Sequence, residues 1–147
     1  MYNSGTNRNQ QNNPAQGLEG QVALQKLEDL FDRADRRVMS WPAVYKYSHG
    51  ERLFRLLNDM EALCVAAHLR YFKKNTLSDL DICNHQLQLL IRRLHRTKYT
   101  DKAGKQRTLL TDGEHAEWAG FTVEIGKLIG GWIKKTEERE KTAKSSK

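Results

Sequence analysis

Apolar residues recur along this chain at helical spacing in four segments, and no stretch alternates convincingly enough to predict a strand. The first, 21–40, places Leu27, Leu30, Phe31, Ala34 and Val38 on one stripe. Pro42 ends it, because the residue before a proline is pushed out of helical geometry. The second, 50–74, carries Leu53, Leu56, Leu57, Met60, Leu63, Cys64, Ala67 and Tyr71 at i, i+3, i+4, i+7 spacing. The third, 78–97, opens at Ser78 as N-cap, with Asp81 three positions on, and has the stripe Leu80, Cys83, Leu87, Leu90, Ile91 and Leu94. The fourth begins at Thr111 with Glu114 three residues later, the spacing of a capping box, and runs through Trp118 to Thr136.

Helices of this size are each about 30 Å long. Short links favour antiparallel neighbours, so the pattern predicts an all-α, antiparallel up-down-up-down four-helix bundle over 21–136. Residues 1–20 are rich in Asn, Gln, Gly and Ser and read as a disordered arm. Residues 137–147 lack apolar side chains apart from Ala143 and read as a charged tail or a frayed helix extension. The link 98–107 is longer than the others and basic.

Glycines interrupt the fourth stripe (Phe121, Ile125, Leu128, Ile129, Trp132) at Gly126, Gly130 and Gly131. Each costs a helix interior about 1 kcal/mol relative to alanine. Close approach of another backbone, which a missing Cβ permits, would offset that loss. Gly126, Gly130, Gly131 and Trp132 are therefore the candidate oligomer interface. Trp118 shares the helix face of Trp132, for core or interface packing, and Trp41 either anchors the first connection or stays partly exposed for a partner.

The formal net charge is +7, which favours nucleic acid, an acidic protein surface or anionic lipid over neutral partners. Arg92, Arg93 and Arg96 fall on the polar side of the third helix and lead into Lys98, Lys102, Lys105 and Arg107, opposed only by Asp101. Arginine forms bidentate phosphate contacts and stacks on bases, which suits structured RNA. The alternative for the same residues is a solvated helix face followed by a loop. A second candidate cluster, Arg70, Lys73 and Lys74, lies at the opposite end of the second helix from Lys46, Arg52 and Arg55, so one patch cannot hold both without a neighbouring subunit. Tyr99 could stack on an exposed base or be an ordinary loop tyrosine.

No P-loop, GxGxxG, HExxH, CxxC or nucleophile elbow occurs, so no catalytic residue, metal ligand or cofactor is expected. His115 reads as helix-start polarity. Cys64 and Cys83 read as small buried hydrophobes of a reducing compartment. No apolar run approaches the ~20 residues that span a bilayer, and a cytoplasmic location without membrane contact is the expectation.

Three motifs carry a family resemblance: Trp41-Pro42 after the first helix; Tyr47-Ser48-His49-Gly50-Glu51-Arg52-Leu53 leading into the second; and Glu124-Ile125-Gly126-Lys127-Leu128-Ile129-Gly130-Gly131-Trp132-Ile133-Lys134 near the end. In these segments the chain resembles the accessory variability determinant (Avd) proteins of diversity-generating retroelements. That family lies within a wider group of small four-helix proteins that includes those encoded in ribosomal RNA intervening sequences. The resemblance spans most of 21–136 and implies a homopentamer around a central channel, with a basic surface. It also implies binding to the retroelement's reverse transcriptase and to template RNA or its cDNA, in support of adenine-mutagenic cDNA synthesis, with no catalytic residues to transfer. The Asn/Gln-rich arm, the long third link and the charged tail depart from the family pattern. A structural four-helix oligomer of the ribosomal RNA intervening-sequence type, binding another protein or RNA, is the alternative.

Overall fold

Helix α1 (Glu19–Val38) buries Leu27, Leu30, Ala34 and Val38 of the expected stripe together with Ala23, while Phe31 is half-buried. Glu19 in its first turn and Arg36 and Arg37 in its last complement the helix dipole. The computed structural model describes residues 18–145. The expected disordered arm therefore lies outside the described residues, except that Glu19 and Gly20 open α1.

Beyond the turn at Ser40 and Trp41, Pro42 starts a new helical turn by accepting the Tyr45 and Lys46 amides at 2.9 and 3.1 Å. A π-helical turn, Lys46–Gly50, carries the chain into α2 (Glu51–Leu69). Gly50 is buried here, and a Cβ on it would lie 2.8 Å from Cγ1 of Val38. The glycine thus lets the start of α2 close onto the end of α1.

α2 ends five residues short of its predicted limit, where Arg70 turns extended. α3 (Lys74–Arg96) then begins four residues before Ser78, so Ser78 is an exposed interior residue and not the N-cap. Local bonds mark that earlier start, the Lys73 carbonyl accepting the Leu77 amide at 2.8 Å and Arg70 donating to the Thr76 hydroxyl at 2.9 Å, while buried Lys73 lies near the Trp132 ring.

The link after α3 is not an open loop. β1 (Lys98–Thr100) pairs antiparallel with β2 (Gln106–Thr108), with Tyr99 opposite Arg107. Leu109 and Leu110 follow, wholly buried, and their amides reach back to the Thr97 and Leu94 carbonyls at 3.0 and 3.3 Å. The Trp41 indole N–H donates to the Leu109 carbonyl at 2.8 Å, so Trp41 is an anchor and not an exposed contact.

α4 (Asp112–Ser145) opens on the predicted capping box. The Thr111 amide donates to Glu114 Oε1 at 2.9 Å, and the Glu114 amide to Thr111 Oγ1 at 3.1 Å. The helix runs past Thr136 to Ser145, so residues 137–145 extend it and do not form a separate tail. At about 50 Å it overhangs the shorter helices. Arg139 lies over the Tyr71 ring at 4.5 Å, beside the α2–α3 link.

Each helix packs on two neighbours: α1 on α2 and α4, α3 on α2 and α4. Cross-contacts give the directions. Phe31 stacks on Phe54 at 5.6 Å while Cys64 donates to the Gly20 carbonyl. Lys26 pairs with Glu124, Arg33 with Glu117 and Arg37 with Glu114. The core between the helices includes Trp118, Ile125, Ile129 and Trp132 of α4. Cys64 is buried in it, and desolvation followed by Glu61 pushes its thiol pKa up to about 11.

Candidate nucleic-acid interface

α2 packs on α3, and His49, just before α2, lies within reach of the charge of Arg93 in the last turn of α3. Burial lowers the pKa of His49 at the start of α2, and the charges of Arg93 and Arg52 lower it further. Residues far apart in sequence thus share one surface. Arg92, Arg93 and Arg96 are exposed on α3 and continue into exposed Lys98, Lys102 and Lys105 of the hairpin. Among the described residues, none of these six has a carboxylate within ion-pair distance; nearby, Arg55 pairs with Glu51, and Arg107 with Asp101. Arg93 of the predicted strip thus acts on the same imidazole as Arg52, which lies outside the strip in sequence.

Arg107 is engaged within the hairpin. Its Nε donates to Asp101 Oδ2 at 2.6 Å, while Asp101 Oδ1 accepts the Ala103 and Lys105 amides at 3.0 and 2.9 Å. Gly104 closes the turn at φ 83°, a conformation that favours glycine. Asp101 therefore organises the loop that displays the lysines. The Arg107 hydrogen bond, then the Lys105 amide, hold its pKa below the ordinary value. A depressed folded-state pKa gives stability that is present above the unfolded value and lost as pH falls through the folded one. The Ala103 and Lys105 amide shifts are accordingly expected to titrate with a midpoint below 3.8, the ordinary aspartate value. Asp101→Asn should abolish that titration; a wild-type midpoint at or above the ordinary value would contradict the role.

The second predicted cluster does not join this surface. Arg70 and Lys74 are exposed at the opposite end of the bundle. Lys73 is a correction to the predicted binding set: it is only 2% exposed, and its ammonium lies 5.5 Å from the Trp132 ring centroid. Burial, then the charge of Arg139, lowers its pKa. Such a lysine cannot reach a phosphate without leaving its packing.

Trp132 is likewise corrected from interface to core, being 3% exposed within one protomer. Of the glycines expected at the interface, Gly126 packs internally, since a Cβ there would lie 3.3 Å from Nδ2 of buried Asn84. Gly130 and Gly131 are exposed, and a Cβ on either would meet nothing within 4 Å.

Aromatic side chains accompany the cations. Tyr45 lies 5.5 Å from His49 edge-on and 6.2 Å from Tyr99, and Tyr47 is 79% exposed. Between the hairpin and the end of α1 a cleft of about 750 Å³ opens, lined in part by Trp41, Pro42, Tyr99, Arg37, Lys102 and Arg107. Of this group the sequence pointed to Tyr99, Trp41, Lys102 and Arg107; Tyr45, which ends the turn before the π-turn that carries His49, has no local signature. His95 and His115, unrelated by spacing, stack at 4.2 Å, and His95 also pairs with Asp112 at 2.7 Å. No cluster of three or more potential metal ligands occurs among the described residues, and none of their helices is long and apolar enough to cross a membrane. No protein-family model, curated protein or solved structure gives a match to this chain.

Proposed function

We propose that this chain is a non-catalytic nucleic-acid-binding protein, built as an antiparallel up-down-up-down bundle, whose hairpin end contacts structured RNA. One observation carries the reading: Arg92, Arg93, Arg96 and Lys98 are exposed and without ion-pair partners among the described residues, and Arg93 and Arg52 act on the same His49, whose ring meets Tyr45. Cations next to aromatic faces are what unpaired and structured RNA requires of a protein. Together with the Avd resemblance, this supports an accessory role in a diversity-generating retroelement: a homopentamer that holds template RNA, or its cDNA, near the reverse transcriptase. Tethering both would raise their effective concentration. Copurification with the reverse transcriptase, followed by sequencing of bound RNA, tests the reading. Recovery of neither polymerase nor a discrete RNA would reject it.

Gly130 and Gly131 favour the second reading, a structural oligomer, because no neighbour among the described residues uses their lack of a Cβ. Gly130→Ala with Gly131→Ala is expected to raise protomer stability by about 1–2 kcal/mol through helix propensity. If the glycines admit a neighbouring helix, the same change lowers the assembled mass seen by light scattering. Unaltered assembly would remove these glycines from any interface.

A further inference from the structure

The cleft beside the hairpin has a composition that general phosphate binding does not require. Its lining joins Trp41, Pro42 and Tyr99 with Arg37, Lys102 and Arg107. Tyr99 and Arg107 are direct cross-strand partners, so an aromatic face and a guanidinium stand side by side on the hairpin. Arg37 is committed elsewhere, to Glu114, the Ser40 hydroxyl and the Thr108 carbonyl, and acts as a fixed wall. Arg107 uses Nε on Asp101, and Lys102 has no ion-pair partner among the described residues. Asp101 also lines the cleft, its oxygens taken up by Arg107 and by the Ala103 and Lys105 amides, so two cations and an apolar surface share the lining.

We infer that this cleft is a subsite for a single unstacked nucleotide, its base against Tyr99 and Pro42 and its phosphate on Lys102 and Arg107. The volume falls in the range of small-ligand sites. A stacked base in a duplex cannot enter it, whereas a bulged or looped one can. The inference rests on the RNA-binding reading and deepens it: the arginines of α3 supply affinity for the backbone, and the cleft selects an extruded base. A nucleotide within RNA and a free nucleotide share this chemistry.

Fluorescence anisotropy of the full chain separates the possibilities, with one labelled RNA stem that is fully paired and another with a single bulged adenosine. The wild type is expected to prefer the bulged stem by about tenfold, the scale of one base–aromatic stack. Tyr99→Ala should erase the preference, lowering affinity for the bulged stem about tenfold more than for the paired one, and Tyr99→Phe, which keeps the ring, should retain it. Lys102→Glu, at an exposed loop position, should also reduce the preference. Equal wild-type binding to both stems overturns the subsite while leaving the arginine strip standing. Absence of binding to either stem overturns both. Displacement of the bulged stem by micromolar AMP would reassign the cleft to a free nucleotide and overturn the RNA source.

Discussion

Replacing Arg92, Arg93 and Arg96 together by alanine is expected to lower RNA affinity on the order of a hundredfold at ~0.1 M salt. The estimate follows from counterion release. Each neutralised phosphate contributes about 0.9 to the log-log salt slope on duplex and about 0.7 on single strands. One decade below 1 M salt, three such contacts amount to between two and three decades of affinity. The slope itself should flatten by about 2–3. The fold should persist, because all three side chains are exposed and the buried stripe of α3 is Leu87, Leu90, Ile91 and Leu94. Arg52→Ala should remove a further increment, since Arg52 and Arg93 act on the same His49. Arg70→Ala with Lys74→Ala, at the other end of the bundle, should change the slope far less. A filter-binding series with affinity and slope unmoved by the triple change would reject the strip as an RNA surface.

What the sequence made legible was local. The α1 and α2 stripes came from periodicity, and the Thr111–Glu114 box from two residues three apart, which bond as expected. What it hid was made by particular side-chain contacts, some local and some distant, that periodicity does not report. α3 starts early because Lys73 is buried against Trp132 and Arg70 holds Thr76, neither of which a window of propensities contains. The hairpin shows no alternating pattern. It exists because one carboxylate, Asp101, gathers two amides and a guanidinium, and because Leu109 and Leu110 are buried beneath Trp41. The arginine strip could be read from α3, but its union with Arg52 required the pairing of α2 with α3. Trp132 was expected in the core or at an interface, with the flanking glycines favouring the interface; its helical phase buries it within the protomer. Trp132 shares the side of Trp118, Ile125 and Ile129, while Gly130 and Gly131 face outward.

That phase carries the second large expectation: Trp132→Ala should destabilise the protomer by about 3–5 kcal/mol, as for other buried aromatic truncations. The α1 backbone lies directly on the indole, since a Cβ on Gly20 would be 2.9 Å from Trp132 Cη2. α1 is held at this level by the Cys64–Gly20 hydrogen bond and the Lys135–Glu19 ion pair, which oppose its collapse into the space the ring leaves. Loss of the ring also strips Lys73 of the π-face near its buried ammonium, which adds a desolvation penalty to the cavity. Domains of this size are stable by only about 5–15 kcal/mol, so the loss would be a large fraction of the total. Urea unfolding across a hundredfold range of protein concentration distinguishes core from interface. A core tryptophan gives the same loss at every concentration, whereas an interface tryptophan gives a loss that vanishes on dilution, because association stabilises by mass action. A deficit under 1 kcal/mol in dilute solution would return Trp132 to the interface and leave the α1–α4 packing without its central contact.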